Sequence, residues 1–385
     1  MLRTPPSNRN KNVTNKSYIR NMYVYQLKNW PLWEWDNEII YPILIRVVSK
    51  QQHLLGRLKG LGFNIQETTA FETEVKDILY NSEIEGNYLQ ETQIRSSIAR
   101  NLGIENDETV MNSVETEGAI NVFLESTRNY QLPFTKDRLF DWHAGLFPTG
   151  RSAGIRLEVG NYRTSDQPMQ IVSGAMGRER VHYKAPASSL VPSMMEEFLE
   201  YANKSNHHPY IKAAIAHLWF EVIHPFEDGN GRIGRAIVDK ILCEADQVPY
   251  RYYSFSTAVL QNNKVYYEQL NRASTCTLEI TSWIKWTLES IESSLSFSEE
   301  TVNKVESKRT FWQQHSDEEF NTRQLKVIKK LLDNNEININ SNRWTRITKC
   351  TKMTATRDIN ELIEKGIFIK SESGGRSTFY RLKVD

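Results

Sequence analysis

The stretch HPFEDGNGRIGR, which runs from His224 to Arg235, decides the interpretation of this chain. It combines a histidine, a carboxylate at Asp228, three glycines and two arginines within about three turns of helix. A histidine can take a proton from a substrate hydroxyl, and a carboxylate can hold Mg²⁺ on a polyphosphate. Such residues so close together indicate phosphate chemistry rather than a purely structural turn.

The glycines and arginines of the stretch point to the same chemistry. Gly229 and Gly231 bracket Asn230, and glycines without Cβ atoms let backbone N–H groups approach phosphate oxygens. The run after Gly231 predicts a helix, whose positive N-terminal end would meet the phosphates. Arg232 and Arg235 are three residues apart, on one helix face, and arginine binds phosphate through two parallel hydrogen bonds.

This stretch resembles the signature of the Fic family, HPFx(D/E)GNGRxxR, and it matches every fixed position. The resemblance implies a mainly helical fold. It also implies, for most members, transfer of AMP from ATP to a Ser, Thr or Tyr hydroxyl of a target protein, with release of pyrophosphate. Other members transfer other nucleotides or phosphocholine, or only remove AMP, and the motif does not separate these outcomes. An ordinary helix–turn–helix corner would explain the glycines, but not His224, Asp228 and both arginines together.

The resemblance implies a role for each residue of the stretch. His224 would be the catalytic base, Asp228 would hold Mg²⁺, and Arg235 would hold the terminal phosphate of ATP. The residues expected to bind the nucleotide are Asp228, Gly229, Asn230, Gly231, Arg232, Gly234 and Arg235. Tyr266 and Tyr267 lie where Fic proteins often place aromatic contacts near the base, although helix packing would explain this pair equally well.

A second segment, NSEIEGNYLQ from Asn81, resembles the inhibitory helix of many Fic proteins, (S/T)xxxE(G/N). Glu85 and Gly86 match its second half, whereas Asn81 stands where Ser or Thr is expected and Ser82 follows one place later. In the family this glutamate pairs with the second motif arginine and blocks the ATP γ-phosphate. The resemblance therefore implies that Glu85 inhibits the enzyme. The alternative is a surface glutamate beside a helix-ending glycine.

The segment PMQIVSGAMGRERVHYKAP predicts a hairpin, with strands at Met169–Val172 and Val181–Tyr183. Fic proteins use a β-hairpin flap here to hold the target peptide by strand-like pairing. The resemblance therefore implies that Val181, His182 and Tyr183 bind the target. A hairpin that only connects two helices is the alternative.

Apolar residues at helical spacing predict most of the remaining structure. The predicted helices are Glu38–Leu61, Thr69–Tyr80, Glu117–Thr127, Lys136–Leu146, Pro192–Asn203 and Pro209–His224. The expected domains are a disordered tail (1–18), an N-terminal helical region with the inhibitory segment (19–114), the Fic catalytic core (115–297), a charged, serine-rich linker (298–320) and a C-terminal domain (321–385).

The C-terminal domain differs from the rest in charge, because residues 321–385 hold fourteen Lys and Arg against seven Asp and Glu. Helices are predicted at Thr322–Asp333, Thr345–Lys349 and Thr354–Lys365, and strands at Phe368–Lys370 and Thr378–Leu382. This order resembles a winged helix–turn–helix domain. Its third helix would read DNA through Thr356, Arg357 and Asn360. A protein-interaction or dimerisation domain is the alternative.

Composition excludes several other classes of protein. The chain has 385 residues and a net charge of +1, so no overall charge indicates nucleic acid or membrane as a partner. Cys243, Cys276 and Cys350 form no CxxC pair, which fits a reducing cytoplasm. No stretch approaches the roughly 18 apolar residues of a membrane span, and the N-terminus has no apolar core of a signal peptide.

These patterns lead to one main hypothesis and two alternatives. We expect a cytoplasmic protein adenylyltransferase that uses ATP and Mg²⁺ to modify a target protein and itself, and that Glu85 restrains. One alternative is a hydrolase in which Glu85 orients a water that removes AMP. The other is a DNA-binding regulator whose Fic site senses nucleotide. The sequence leaves a homodimer open.

Overall fold

The structure is a computed structural model that describes residues 22–103, 111–173, 180–333, 338–371 and 378–383. It is mainly helical, as the sequence predicted. The chain divides into two compact units. The first consists of Met1–Gly60 and Ala70–Ser298, and the second of Leu61–Thr69 and Glu299–Asp385. The expected disordered tail, residues 1–18, lies outside the described residues.

The N-terminal region consists of a short 3-10 helix at Val24–Gln26 and three longer helices. These are α1 (Asn37–Leu61), α2 (Phe63–Glu83) and α3 (Glu91–Leu102). The buried residues of α1 recur at helical spacing, and they are Ile40, Ile43, Leu44, Val47, Gln51, Leu54 and Leu58. The sequence predicted α1 to within one residue, but α2 extends beyond the predicted Thr69–Tyr80 at both ends.

The next five helices include the two that flank His224 and the glycine-rich turn. They are α4 (Val114–Arg128), α5 (Lys136–Leu146), α6 (Val191–Lys204), α7 (Pro209–Ile223) and α8 (Asn230–Asp246). The Ser113 and Thr135 side chains accept hydrogen bonds from the first turns of α4 and α5, so ordinary N-caps fix where both helices begin. Residues 210–223 of α7 are all buried. This helix packs against α8 and forms the centre of the first unit.

Helices α4 and α5 approach each other very closely at Gly118 and Gly145. A Cβ atom on Gly118 would lie 1.9 Å from the carbonyl oxygen of Gly145, which is backbone and cannot move aside alone. The absence of a side chain at Gly118 is therefore what permits this helix crossing.

We expect Gly118→Ala to lower the free energy of unfolding by about 1–3 kcal/mol, because overpacking against backbone forces the helices apart. Chemical denaturation would measure it. Gly56→Ala on α1 is the matched control, since a Cβ there meets nothing within 4 Å. That control should be neutral or stabilising by about 0.5–1 kcal/mol. Equal effects of the two substitutions would contradict the close crossing.

Two small hairpins follow α5. Their strands are β1 (Arg151–Ser152), β2 (Ile155–Arg156), β3 (Gln170–Ser173) and β4 (Arg180–Lys184). Strands β3 and β4 are antiparallel, with Ile171 opposite Tyr183 and a register irregularity between Ile171 and Val172. This is the predicted hairpin. The sequence did not predict β1 and β2.

The chain then forms α9 (Phe255–Gln261), α10 (Asn263–Ala273) and the long helix α11 (Thr281–Gln314). The expectation of a linker over 298–320 needs correction, because residues 298–314 are the C-terminal half of α11. Val302 and Phe311 are fully buried there. The sequence analysis did not predict this part of the helix, because its apolar positions are widely spaced among many charged and serine residues.

The second unit continues with a helical and β-sheet segment. Its elements are α12 (Thr322–Asp333), β5 (Asn338–Ile339), α13 (Ser341–Thr348), α14 (Lys352–Glu364), β6 (Phe368–Lys370) and β7 (Tyr380–Leu382). The three strands form an antiparallel sheet in the order β5-β7-β6. Strand β5 was not predicted, and α13 begins four residues before the predicted Thr345, because the Asn340 side chain caps it. The winged-helix assignment stays a prediction.

None of the helices in the described residues is long and apolar enough to cross a lipid bilayer.

Candidate active site

His224 follows the last residue of α7 and adopts a left-handed backbone conformation, with φ 52° and ψ 59°. Its N–H donates to the Phe220 carbonyl over 2.9 Å, and its own carbonyl accepts from Arg163 Nε over 2.8 Å. A non-glycine residue in this conformation costs about 1 kcal/mol or more. These two hydrogen bonds help to hold it, so the end of α7 presents His224 in one fixed orientation.

The environment of His224 keeps its imidazole neutral. Burial is the main cause that lowers the pKa of His224 to about 4, and the positive charge of Arg163 lowers it further. Its Nδ1 has no hydrogen-bond partner among the described residues and lies 3.8 Å from Glu221 Oε2. A neutral imidazole at neutral pH can accept a proton.

The loop after His224 leads directly into the N-terminus of α8. Gly229 has φ +80°, and a Cβ there would lie 2.8 Å from the Phe147 ring, so both conformation and space favour glycine. The Asn230 side chain closes the loop, since its Oδ1 accepts from Phe226 N (3.0 Å) and its Nδ2 donates to Phe226 O (2.9 Å). The Asn230 side chain therefore holds the loop in place at the start of α8.

The first turn of α8 has the features of a site for an anion. The first intrahelical hydrogen bond of α8 runs from Ile233 N to Gly229 O, over 3.0 Å. The preceding N–H groups have no acceptor within the helix and lie at its positive end. Arg232 is buried in this turn, with its guanidinium 4.8 Å from the Phe147 ring centroid. Helix and side chain thus both favour negative charge here.

Asp228 is the carboxylate beside this turn, and its side chain is 43% exposed. Its Oδ2 accepts from Ser152 Oγ, and its Oδ1 accepts from Gly229 N. Arg232 Nη2 lies 3.9 Å from Oδ1. One oriented, accessible carboxylate fits Mg²⁺, which commonly takes one or two protein carboxylates and completes its shell with phosphates and water. The described residues contain no group of three or more side chains that could hold a metal unaided.

Glu85 reaches the same turn from the other side. It lies in the turn after α2, and its Oε1 accepts from Arg235 Nη2 over 2.7 Å. A Cβ on Gly231 would lie 2.1 Å from this Oε1. The carboxylate therefore lies against the backbone of the first turn of α8, where an anionic ligand would bind.

Asn81 also forms hydrogen bonds with Arg235. Its Oδ1 accepts from Arg235 Nε over 2.6 Å, and its carbonyl accepts from Nη2 over 3.0 Å. Its Nδ2 also donates to the Arg232 carbonyl over 3.4 Å. Gly86, with φ +75°, turns the chain directly after Glu85. The residue that departs from the inhibitory pattern is thus the one that fixes Arg235 to α2.

A cavity of about 530 Å³ opens beside these groups. The residues that line it are Glu85, Ile171, Tyr183, Glu221, His224, Gly231, Tyr266, Tyr267, Leu270, Asn271 and Ser274. It brings together residues from the turn after α2, the hairpin, α7, α8 and α10. The cavity therefore joins a histidine, an anion site and an apolar, aromatic wall.

The hairpin contributes one wall of the cavity. Tyr183 is buried, and its hydroxyl donates to the Val222 carbonyl over 2.7 Å, which fixes β4 to the end of α7. Val181 is 46% exposed. His182 belongs to β4, but its side chain lies outside the described residues.

Tyr266 and Tyr267 form part of the opposite wall. Tyr266 is fully buried, and its hydroxyl lies 3.0 Å from His217 Nε2. The His217 ring stacks on both Tyr266 and Trp283, so this histidine is a core residue. Tyr267 is 42% exposed, with its hydroxyl 3.5 Å from the Ile84 carbonyl. The more accessible ring is therefore that of Tyr267.

Gly234 differs from the other motif glycines in what it faces. A Cβ there would lie 2.9 Å from Glu221 Oε1 and 3.0 Å from His217 Nδ1. Gly234 does not line the cavity, so its missing side chain makes room for buried polar groups of α7.

The sequence analysis did not identify two residues of the candidate site, Ser152 and Glu221. Ser152 orients Asp228 from a two-residue strand that has no recognisable pattern. Glu221 lies in the cavity wall. The sequence could have indicated it, because Glu221 is a glutamate surrounded by almost entirely apolar residues of the same helix.

Two protein families match parts of the chain. A domain of unknown function (DUF4172) matches residues 23–104, and the Fic/DOC family matches residues 133–242. The second match includes α5 to α7, both hairpins and the whole of His224–Arg235.

Two curated proteins are similar to parts of the chain. The protein adenylyltransferase and cysteine protease IbpA of Histophilus somni (strain 2336) is 24% identical over 256 residues, which is 65% of this chain and 6% of that protein. The probable protein adenylyltransferase aq_aa38 of Aquifex aeolicus (strain VF5) is 34% identical over 84 residues, which is 22% of this chain and 23% of that protein. The chain thus spans less than a quarter of the length of either relative.

Among solved structures, a Fic family protein from Desulfovibrio desulfuricans G20 is 20% identical, with a TM-score of 0.49, and the match covers 89% of this chain and 96% of that one. The Fic/DOC match over residues 133–242 and the complete signature at His224–Arg235 lead to one conclusion: this chain carries a domain of the Fic/DOC family.

Proposed function

We propose that this protein transfers AMP from ATP to a hydroxyl side chain of a target protein, and to itself. The observation that carries the proposal is the placement of a neutral, buried His224 in the wall of a cavity that also contains the N-terminal turn of α8. A proton acceptor beside an anion site is the arrangement that phosphoryl transfer to a hydroxyl needs.

The triphosphate would bind at the first turn of α8. The backbone N–H groups of residues 230–232 would meet phosphate oxygens, and Arg232 and Arg235 would neutralise their charge. Asp228 would hold Mg²⁺, which when bound neutralises phosphate charge. The Asn230 side chain, through its two bonds to Phe226, would keep this turn in the shape that the phosphates need.

The base of the nucleotide would occupy the apolar part of the cavity. Tyr267 offers an accessible ring, and Tyr266 and Leu270 supply buried apolar surface behind it. Aromatic rings bind a flat base by stacking with little demand on its identity. The nucleotide preference is therefore a question for experiment.

The target would lie along the hairpin. An extended segment pairing with β3 or β4 would present its hydroxyl to His224 with little demand on sequence. The hydroxyl oxygen attacks the α-phosphorus, a new oxygen–phosphorus bond forms, and the bond to the bridging oxygen of the β-phosphate breaks. The hydroxyl proton passes to His224 Nε2, and pyrophosphate leaves.

The test is incubation of the protein with labelled ATP, GTP, CTP and UTP, with and without Mg²⁺, followed by intact mass spectrometry. We expect a nucleoside monophosphate to be added to the protein itself, from ATP and in the presence of Mg²⁺. Absence of any added nucleotide, both in the native chain and in Glu85→Gly, would contradict the proposal.

Removal of AMP from a modified target is the runner-up within the same site. Its support is that the Glu85 carboxylate lines the same cavity as His224, and a carboxylate can orient a water for attack. Incubation of a pre-modified target with Mg²⁺ separates the two activities, since only the hydrolase releases AMP without a nucleotide.

A second candidate function, DNA binding, concerns the C-terminal segment. Lys352, Thr356, Arg357 and Asn360 are exposed on α14. Lys349 is exposed just before that helix. Each cation that meets a phosphate adds to the salt dependence of DNA binding.

We expect binding to duplex DNA that weakens steeply with salt, measured by fluorescence anisotropy across a salt series. The double variant Lys352→Ala/Arg357→Ala should lower the slope of log K against log salt by about 2, or about one for each lost phosphate contact. Lys264→Ala, an exposed lysine of the first unit, is the control. Absent or salt-insensitive binding would contradict this role.

A further inference from the structure

Glu221 is a buried acidic residue to which the proposed transfer reaction assigns no role. It lies one turn before His224 on α7 and is 6% exposed. Its Oε1 has no hydrogen-bond partner among the described residues. Burial of an unpaired carboxylate is costly. A core position alone therefore does not explain a glutamate here.

One titratable group close to Glu221 is the base itself. Glu221 Oε2 lies 3.8 Å from His224 Nδ1, and that nitrogen also lacks a partner in the described part of the chain. A side-chain movement of about 1 Å would bring the two atoms to hydrogen-bonding distance. Nδ1 lacks a partner and lies close to a carboxylate that is itself not fully hydrogen-bonded, which indicates a contact that forms during the reaction.

The space around Glu221 is built from several elements. The missing side chain of Gly234 on α8 leaves room for Oε1. A Cβ atom at that position would also lie close to His217 Nδ1. The other charged and titratable groups that face Glu221 are Arg235 of α8, Glu85 of the turn after α2, Tyr183 of β4, and Tyr266 and Tyr267 of α10. Most of these are neutral at physiological pH, so Arg235 and Glu85 are the charges that act on it.

We propose that Glu221 is a positioning residue for His224. Its carboxylate accepts a hydrogen bond from Nδ1–H, which leaves the Nε2 lone pair free to take the proton of the target hydroxyl. The same carboxylate stabilises the imidazolium that results, as a carboxylate does behind the histidine of a serine-protease triad. The inference rests on the proposed function for its catalytic meaning, but the hydrogen bond itself can be measured without transfer.

The surroundings of Glu221 also connect it to inhibition. Burial is the largest cause that raises the pKa of Glu221 to about 8, and the Glu85 carboxylate raises it further while Arg235 opposes the shift. Below that pH Glu221 is protonated and would donate to Nδ1, so that the ring proton would reside on Nε2. A ring in that tautomer cannot accept the hydroxyl proton. Glu85 would thus weaken the base as well as block the phosphate.

The kinetic test compares Glu221→Gln with its parent in a Glu85→Gly background. Glutamine keeps the size of the side chain but cannot ionise. We expect kcat to fall by about tenfold to a hundredfold, with KM for ATP unchanged within about twofold. Glu197→Gln, an exposed glutamate of α6, is the matched control and should leave kcat unchanged.

The pH profile separates positioning from mere structure. Because the ionised carboxylate is the active form, kcat of the Glu85→Gly parent should rise as pH increases through the pKa of Glu221. Removal of Glu85 should move this rise to lower pH than in the native chain. Glu221→Gln should lack the rise, and Glu221→Asp, which keeps a carboxylate, should retain it. A Glu221→Gln variant with the parental kcat and pH profile would overturn the proposal.

Nitrogen NMR of histidine-labelled protein tests the contact without any transfer. The His224 signals are assigned by their loss in His224→Ala. We expect the ring proton to move from Nε2 to Nδ1 as pH rises in the parent, and to show no such change in Glu221→Gln. The expected tautomer change in a protein without transfer would support the hydrogen bond and contradict the proposed function. An identical tautomer response with and without Glu221 would overturn the inference and leave the proposed function intact.

Discussion

Replacement of His224 by alanine is expected to lower AMP transfer by about a hundredfold or more, the usual contribution of a general base, while ATP still binds. The imidazole lies in the cavity wall and stays neutral, because burial and Arg163 lower its pKa to about 4. Alanine has no proton acceptor. The anion site at the first turn of α8 does not use the histidine side chain, so nucleotide affinity should remain.

The measurement is single-turnover transfer from labelled ATP, with nucleotide binding followed separately by calorimetry. His53→Ala, an exposed histidine of α1, is the matched control and should transfer normally. Transfer by His224→Ala at the native rate would make the base assignment wrong. Loss of ATP binding together with transfer would instead give His224 a role in the binding of the nucleotide.

The pH dependence adds a further constraint. A group whose pKa is lowered to about 4 stays neutral as pH falls until that value is approached. Protonation of His224 should therefore reduce transfer only near pH 4. Any rise in rate between pH 6 and 9 must come from another group. Glu221, with its pKa raised to about 8, is the neighbour whose ionisation fits that range.

Sequence patterns predicted the framework of the site because they are local. The apolar spacing of α5 predicted its limits as Lys136–Leu146, as the structure has them. The glycines and arginines of the signature likewise predicted the turn and helix at residues 229–235. In each case neighbouring residues supply the decisive interaction, so one stretch of sequence contains the whole signal.

Contacts between distant segments could not be predicted in the same way. Arg235 binds the Asn81 carbonyl and side chain, 154 residues away, and Ser152 orients Asp228 across 76 residues. The resemblance to the Fic inhibitory helix can suggest the pair of Glu85 and Arg235. It cannot predict the contacts of Asn81, because this residue departs from the inhibitory pattern. The C-terminal half of helix α11 was missed for a different reason, because its buried apolar residues, Val302 and Phe311, lie far apart among charged residues.

Removal of the Glu85 carboxylate by Glu85→Gly is expected to increase transfer by about tenfold or more, within the usual range of coupling between two sites. Glu85 Oε1 lies 2.7 Å from Arg235 Nη2 and directly against Gly231. An anion at the first turn of α8 occupies the place that the phosphates need. Its loss frees both the arginine and the backbone N–H groups for ATP.

The measurement is self-modification and target labelling from ATP by Glu85→Gly, Arg235→Ala and the double variant. Arg235→Ala should not reproduce the gain, because it removes the phosphate contact together with the inhibitory pair. The double variant should resemble Arg235→Ala, since residues in one contact do not act additively. A double variant as active as Glu85→Gly would mean that Glu85 inhibits without Arg235.

The outcome for Glu85 also decides between transfer and removal of AMP. Restraint by Glu85 requires that its loss increases transfer. A hydrolase that uses Glu85 to orient water requires that the same loss reduces AMP release from a modified target. If Glu85→Gly transfers AMP at the native rate while His224→Ala is inactive, the assignment of His224 as the base would stand and the self-inhibition by Glu85 would be wrong. Because Glu85 contacts Arg235 and shares the cavity with His224, one substitution measured in both directions tells which reaction the site performs.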